Sequence, residues 1–107
     1  MSATLETIKR LVAAGDVRIS EHGYDELVND DILARDILNG VAAATLVEDY
    51  PEFGKGPAVL VLQSDGAGKP LHVVWGIPRG RMSPAVLVTA YRPDPARWSA
   101  DLLRRLK

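Results

Sequence analysis

The chain has 107 residues and no cysteine, and it carries 13 lysines and arginines against 14 aspartates and glutamates. That length supports one modest core, for which 47% hydrophobic residues suffice, and the lack of cysteine excludes disulfides, thiolate zinc sites and cysteine nucleophiles. A net charge of -1 conceals two opposed halves: residues 1–50 hold ten acidic and four basic side chains, residues 51–107 four acidic and nine basic.

Leu5, Ile8, Leu11 and Val12 recur at helical spacing, Ser2 or Thr4 can cap them, and Gly15 suits a left-handed end, so a helix is expected over about 4–14. Val17 and Ile19 alternate with polar residues and predict a short strand. Ser20 then starts a helical stretch through His22, Tyr24, Leu27 and Val28. A second stripe of Ile32, Leu33 and Ile37 stops at Asn39-Gly40. Beyond Gly40 the period becomes that of strands: Thr45 to Tyr50, closed by Pro51; Ala58 to Leu62, apolar on both faces; and Leu71 to Ile77, reached through the turn Ser64-Asp65-Gly66-Ala67-Gly68. Pro78 to Pro84 reads as a loop, and Ala85 to Tyr91 as the last strand. Asp94-Pro95 is a helix start by composition, and Trp98, Leu102 and Leu106 form a stripe, which predicts a C-terminal helix over about 95–106. The fold class is therefore α+β: one domain over 1–107, N-terminal helices on one face of a four- to five-stranded, mainly antiparallel sheet, and a C-terminal helix.

Only His22 and His72 titrate near neutrality by nature, so they are the first candidates for acid/base work. Two histidines 50 residues apart meet no metal-ligand spacing, and neither a metal nor a cofactor is expected. Gly66-Ala67-Gly68-Lys69-Pro70 lacks the spacing and the Ser/Thr of a phosphate loop and is a turn. Asp49 and Glu52 read as solvated carboxylates at a strand end. The segment Thr89-Ala90-Tyr91-Arg92-Pro93-Asp94 is richer, because a hydroxyl, a phenol and a guanidinium leave one strand together. Thr89 and Tyr91 share a face. With Arg79 and Arg81 before this strand and Arg97 after it, four guanidiniums lie near the ends of one hairpin and could hold phosphate. If Ile77 pairs with Ala85, His72 faces the side of Val88 and Ala90, whereas a slip of one residue brings it to Tyr91.

The His22 segment, Glu48-Asp49-Tyr50-Pro51, Pro70-Leu71-His72-Val73-Val74 and Val88 through Asp94 together resemble a bacterial family, domain of unknown function 4258, from about Val17 to Trp98. That family is similar in turn to the fold of RelE and ParE toxins and of the barnase and colicin ribonucleases. The resemblance implies metal-independent RNA cleavage by attack of the ribose 2'-hydroxyl. His22 and His72 would then be the acid/base pair, in either order of roles, with Tyr91 a hydrogen-bond donor and Arg92 a phosphate holder; the hairpin-end residues Arg79, Arg81, Thr89 and Arg97 are the expected substrate contacts from the reading of the residues themselves. The resemblance also implies an RNA substrate and an antitoxin partner. The sequence departs from the family where arginines are expected four and eight residues after His22, at Glu26 and Asp30. A non-catalytic protein- or nucleic-acid-binding module on the same sheet is the competing expectation, and a homodimer that buries an open sheet face is a third. No apolar run is long enough for a membrane span, and the first residues lack a signal-peptide layout, so the expected location is cytoplasmic.

Overall fold

The computed structural model describes residues 2–106. Helix α1 (Ala3–Ala13) starts where Ser2 offers its hydroxyl to the Leu5 N–H, at 3.1 Å, and it ends before Gly15, whose φ of +77° suits a residue without a Cβ. Strand β1 (Val17–Ile19), helix α2 (Glu21–Asn29), helix α3 (Ala34–Gly40) and a 3-10 turn at Val41–Ala43 follow. Then come β2 (Thr45–Tyr50), β3 (Ala58–Ser64), β4 (Pro70–Gly76) and β5 (Ala85–Tyr91). The order of helices and strands up to β5 is the one expected from the sequence.

The sheet runs β1-β5-β4-β3-β2, with β2 to β5 as an antiparallel meander and β1 parallel to β5 at its edge. Directly opposed residues share a face. Leu46, Val61, Val73 and Ala90 make one row, and Val59, Trp75, Leu87 and Ile19 the next, all on the side covered by the helices. Leu5, Ile8, Leu27, Ile32 and Ile37 of the helical half pack onto these rows. The polar member of this layer, Gln63, accepts from the Trp75 indole N–H and donates to the Ile37 carbonyl, both at 2.9 Å, so its amide is buried with its needs met.

The other face carries the rows Thr45, Leu62, His72, Tyr91 and Glu48, Leu60, Val74, Thr89. Its register turns on one bulge. Gly76 pairs with Val86, which continues to the Ile77 and Ala85 register, but between Trp75–Leu87 and Val74–Thr89 the ladder admits an extra residue, Val88. The slip places His72 directly against Tyr91. Ser20, the cap of α2, holds the bulge: its backbone N–H donates to the Leu87 carbonyl and its hydroxyl to the Val88 carbonyl, both at 2.9 Å, while the same oxygen accepts from the Gly23 N–H. A Cβ on Gly23 would stand 2.8 Å from the Leu87 oxygen and 2.9 Å from that of Val88, so the helix approaches this closely only with glycine there.

The C-terminal helix expected over 95–106 does not form; the segment is a chain of turns closed by a bridge between Trp98 and Arg105. Asp94 does accept from the Ala96 N–H, as a cap would. Past that point side chains take the backbone's partners. The Ser99 hydroxyl accepts from the Arg104 N–H, the Asp101 carboxylate accepts from the Leu103 N–H, and Leu102 adopts φ +64°. The backbone folds back on itself, with Ser99 N–H to the Arg104 carbonyl and Leu106 N–H to the Arg97 carbonyl. Trp98 still docks on the sheet, as the stripe suggests, whereas Leu106 stays exposed. Among the described residues, no helix is long and apolar enough to cross a membrane.

Candidate functional site

The C-terminal segment and the end of β5 enclose a cleft of about 630 Å³ lined by Tyr91, Arg92, Asp94, Ala96, Arg97, Trp98, Arg105 and Leu106. His72 is its floor. The imidazole has no exposed surface, and it stands edge-on to Trp98, at 4.3 Å between ring centres, and to Tyr91, at 5.3 Å. Its Nε2 lies 2.8 Å from the Leu102 carbonyl and its Nδ1 3.2 Å from the Tyr91 hydroxyl. A carbonyl can only accept, so Nε2 carries the proton; in the neutral ring Nδ1 is then an acceptor, and the Tyr91 O–H donates to it. The left-handed turn at Leu102 accompanies this arrangement.

Burial lowers the pKa of His72 from its ordinary value, outweighing the opposite effect of the Leu102 carbonyl, and burial raises that of Tyr91. Both shifts favour a neutral histidine and a protonated phenol. Arg105 covers the assembly, with its guanidinium 4.9 Å from the Trp98 ring centre and two hydrogen bonds to Glu48, at 2.8 and 3.0 Å. These bonds hold the Glu48 carboxyl below the usual range, and Tyr50 also donates to Glu48. Arg92 lies 3.1 Å from Asp65, a carboxylate that accepts from the Lys69 and Ala67 N–H groups of the β3–β4 turn and is lowered mainly by those bonds. Arg97 is the most open of the three arginines of the cleft, 3.9 Å from Asp94 with its side chain 83% exposed.

Of the residues singled out in the sequence, His72, Tyr91, Arg92 and Arg97 come together here. His22 does not: it sits exposed on α2 with its Nε2 3.6 Å from Glu26, while both nitrogens of His72 are taken by other partners. Arg79 and Arg81 belong to the loop at the far end of the β4–β5 hairpin and are absent from the cleft wall, and Thr89 is half-buried on the face below it. Arg105, Glu48 and the Leu102 carbonyl complete the site, although no motif or spacing in the sequence marks them as chemistry. Trp98 had a visible signal in its stripe; the pairing of Glu48 with Arg105, across 57 residues, had none. Among the described residues, no three His, Asp or Glu side chains gather as a metal site.

The model of a family described as a domain of unknown function, DUF4258, matches residues 19–92, from β1 to the first residue after β5. No curated protein and no solved structure matches the chain.

Proposed function

For a chain that belongs to the domain-of-unknown-function family DUF4258, we propose a non-catalytic binding module that holds an RNA strand in the cleft of Tyr91, Arg92, Arg97 and Arg105. The observation that carries this reading is the state of His72: it is enclosed, and both of its nitrogens are occupied by the protein itself. A general acid or base must reach the proton it moves, and the other histidine lies on a separate surface. What the cleft does present is guanidinium groups beside a phenol, and phosphate contacts of that kind supply most of the affinity for a nucleic-acid strand. The carboxylates near Arg92, Arg97 and Arg105 make the expected affinity modest, and the phosphate contacts make it salt-dependent.

One feature favours the ribonuclease of RelE-like descent as a second reading. The chain Tyr91 O–H, His72 Nδ1, His72 Nε2–H, Leu102 carbonyl would let Tyr91 accept the proton of a ribose 2'-hydroxyl while passing its own to His72. Both readings meet in one experiment: labelled single-stranded RNA with the purified protein in EDTA, followed by anisotropy and by gel. The binding module gives saturable anisotropy without fragments, and Arg92→Gln with Arg97→Gln lowers the slope of log affinity against log salt by about 1.4, at roughly 0.7 for each phosphate no longer neutralised. Fragments ending in 2',3'-cyclic phosphate that disappear in Tyr91→Phe would establish the enzyme instead. Neither binding nor cleavage would rule out RNA as the ligand of the cleft.

A further inference from the structure

A second concave surface lies on α2 and the start of α3, away from the cleft. It is a groove of about 350 Å³ lined by Tyr24, Leu27, Val28, Asp31, Ile32, Leu33 and Ala34. Three of its apolar side chains stand largely in solvent, with residue exposures of 61% for Tyr24, 66% for Val28 and 51% for Leu33. Asp31 lines the groove, Glu21, Asp25 and Asp30 are exposed on the same helix or just after it, and no ion pair among the described residues uses any of the four. Helix α2 therefore presents a greasy strip beside carboxylates that no ion pair uses. Unpaired like charges so close together raise the free energy of the isolated molecule. A basic partner with an apolar tip would relieve both features.

The same chain carries such a tip. In the loop after β4, Met82 is the most exposed of the large apolar residues among the described ones, at 87%. Cations lie near it: Arg10, Arg81 and Met82 line one shallow hollow, and the backbone of Arg79 in the same loop donates to the Lys55 carbonyl. None of these four cations enters an ion pair among the described residues. Knob and groove share no residue, and they complement each other in charge and in shape: one projects a flexible thioether beside cations, the other offers an apolar slot beside carboxylates. Methionine fits such irregular slots well.

We propose that the protein associates with itself through unlike surfaces, the Arg79–Met82 loop of one copy seating in the α2–α3 groove of another. The contact is small and driven by exposed charges, so it forms at low ionic strength and weakens as salt screens it. An interface between unlike surfaces has a further property that separates it from a symmetric patch: a copy with a broken knob keeps a sound groove, and the reverse.

Sedimentation equilibrium over a wide range of protein concentration tests this, with RNA absent. The wild type should gain mass with concentration at low salt and return toward the monomer at about 1 M salt, where the Debye length is about 3 Å. The knob variant, Arg81→Glu with Met82→Glu, and the groove variant, Asp25→Lys with Val28→Lys, should each stay monomeric, with unchanged circular dichroism because all four positions are exposed. Mixed in equal amounts, the two should pair, the intact knob of the groove variant seating in the intact groove of the knob variant. Tyr24→Lys is a second groove variant with the same expectation. A wild type that stays monomeric at low salt would overturn the proposal and leave the groove to a different partner. So would either variant assembling as the wild type does, or a mixture that fails to pair.

Discussion

The two faces of the sheet are made from the same central strands, yet they are covered in different ways. On the helix side, alternate residues of β3, β4 and β5 meet apolar stripes of α1, α2 and α3, and the buried polar group Gln63 is satisfied within the layer. On the other side the cover is a string of turns held by single interactions: Trp98 on His72, the Leu102 carbonyl on Nε2, and Arg105 on Glu48. The first face rests on the sum of many apolar contacts, the second on the register of a few polar ones. Stability resides mainly in the first, and the chemically distinctive groups reside in the second.

The largest expected effect tests the first face. Trp75 is fully buried at its centre, and Trp75→Ala removes the ring and also a hydrogen-bond partner of Gln63. The loss should be about 3–5 kcal/mol, a large part of the ~5–15 kcal/mol that holds a small domain together. Urea unfolding would measure it. Trp98→Ala on the second face should cost less, and native-state hydrogen exchange should show the loss confined to residues 94–106. Equal global losses from the two variants would break the comparison.

Next in size is the device that couples the faces. Ser20→Ala deletes the cap of α2 together with the hydroxyl bound to the Val88 carbonyl, for an expected cost of about 1–2 kcal/mol. If the bulge sets the register, the His72 and Tyr91 ring resonances should shift in this variant although neither residue touches Ser20. Unchanged resonances would mean that the ladder keeps its register without the cap.

Smaller again is a dependence on pH carried by His72. Its folded-state pKa lies below the unfolded value of about 6.5, because Trp98, Tyr91 and the segment bearing Leu102 exclude water from the ring. The unfolded chain then binds the proton more readily, so the stability contributed by the neutral ring is complete above about pH 6.5 and is lost as pH falls from there through the lower folded value. The carboxylates Glu48, Asp65 and Asp101, also lowered, act in the same direction only at more acid pH. His72→Gln should therefore flatten the change of melting temperature between about pH 7 and pH 5. A slope equal to that of the wild type would place its origin elsewhere.

The same contrast decides what could be read from the amino-acid sequence. Period and punctuation were enough for α1, β1 and the four-strand meander, since Ile8, Val61 and Leu87 are each where a stripe or an alternation needs them. His72, Tyr91, Arg92 and Arg97 were legible as chemistry but not as a constellation, because the partner of His72 depends on one extra residue, Val88, that no periodicity announces. The C-terminal turns were illegible for a related reason. Asp94-Pro95 and the Trp98, Leu102 stripe satisfy the rules for a helix, while Ser99 and Asp101, which no stripe or spacing distinguishes, capture the Arg104 and Leu103 N–H groups in a turn closed by the Trp98–Arg105 bridge.

The smallest expected effect bears most directly on function. Glu48 and Arg105 form a well-aligned pair, but the Arg105 side chain is 61% exposed, and water and salt screen such pairs, so Glu48→Gln should cost no more than about 1 kcal/mol. The amide keeps an acceptor for Arg105 and removes one negative charge from the rim of the cleft. If phosphate is what the cleft holds, RNA should bind the variant more tightly than the wild type at low salt, and the two affinities should converge as salt rises. A drop in affinity would mean that the Glu48 carboxylate positions Arg105 for the ligand. An unchanged affinity would move the RNA away from Arg105 and toward Arg92 and Arg97, the cations that the double variant tests.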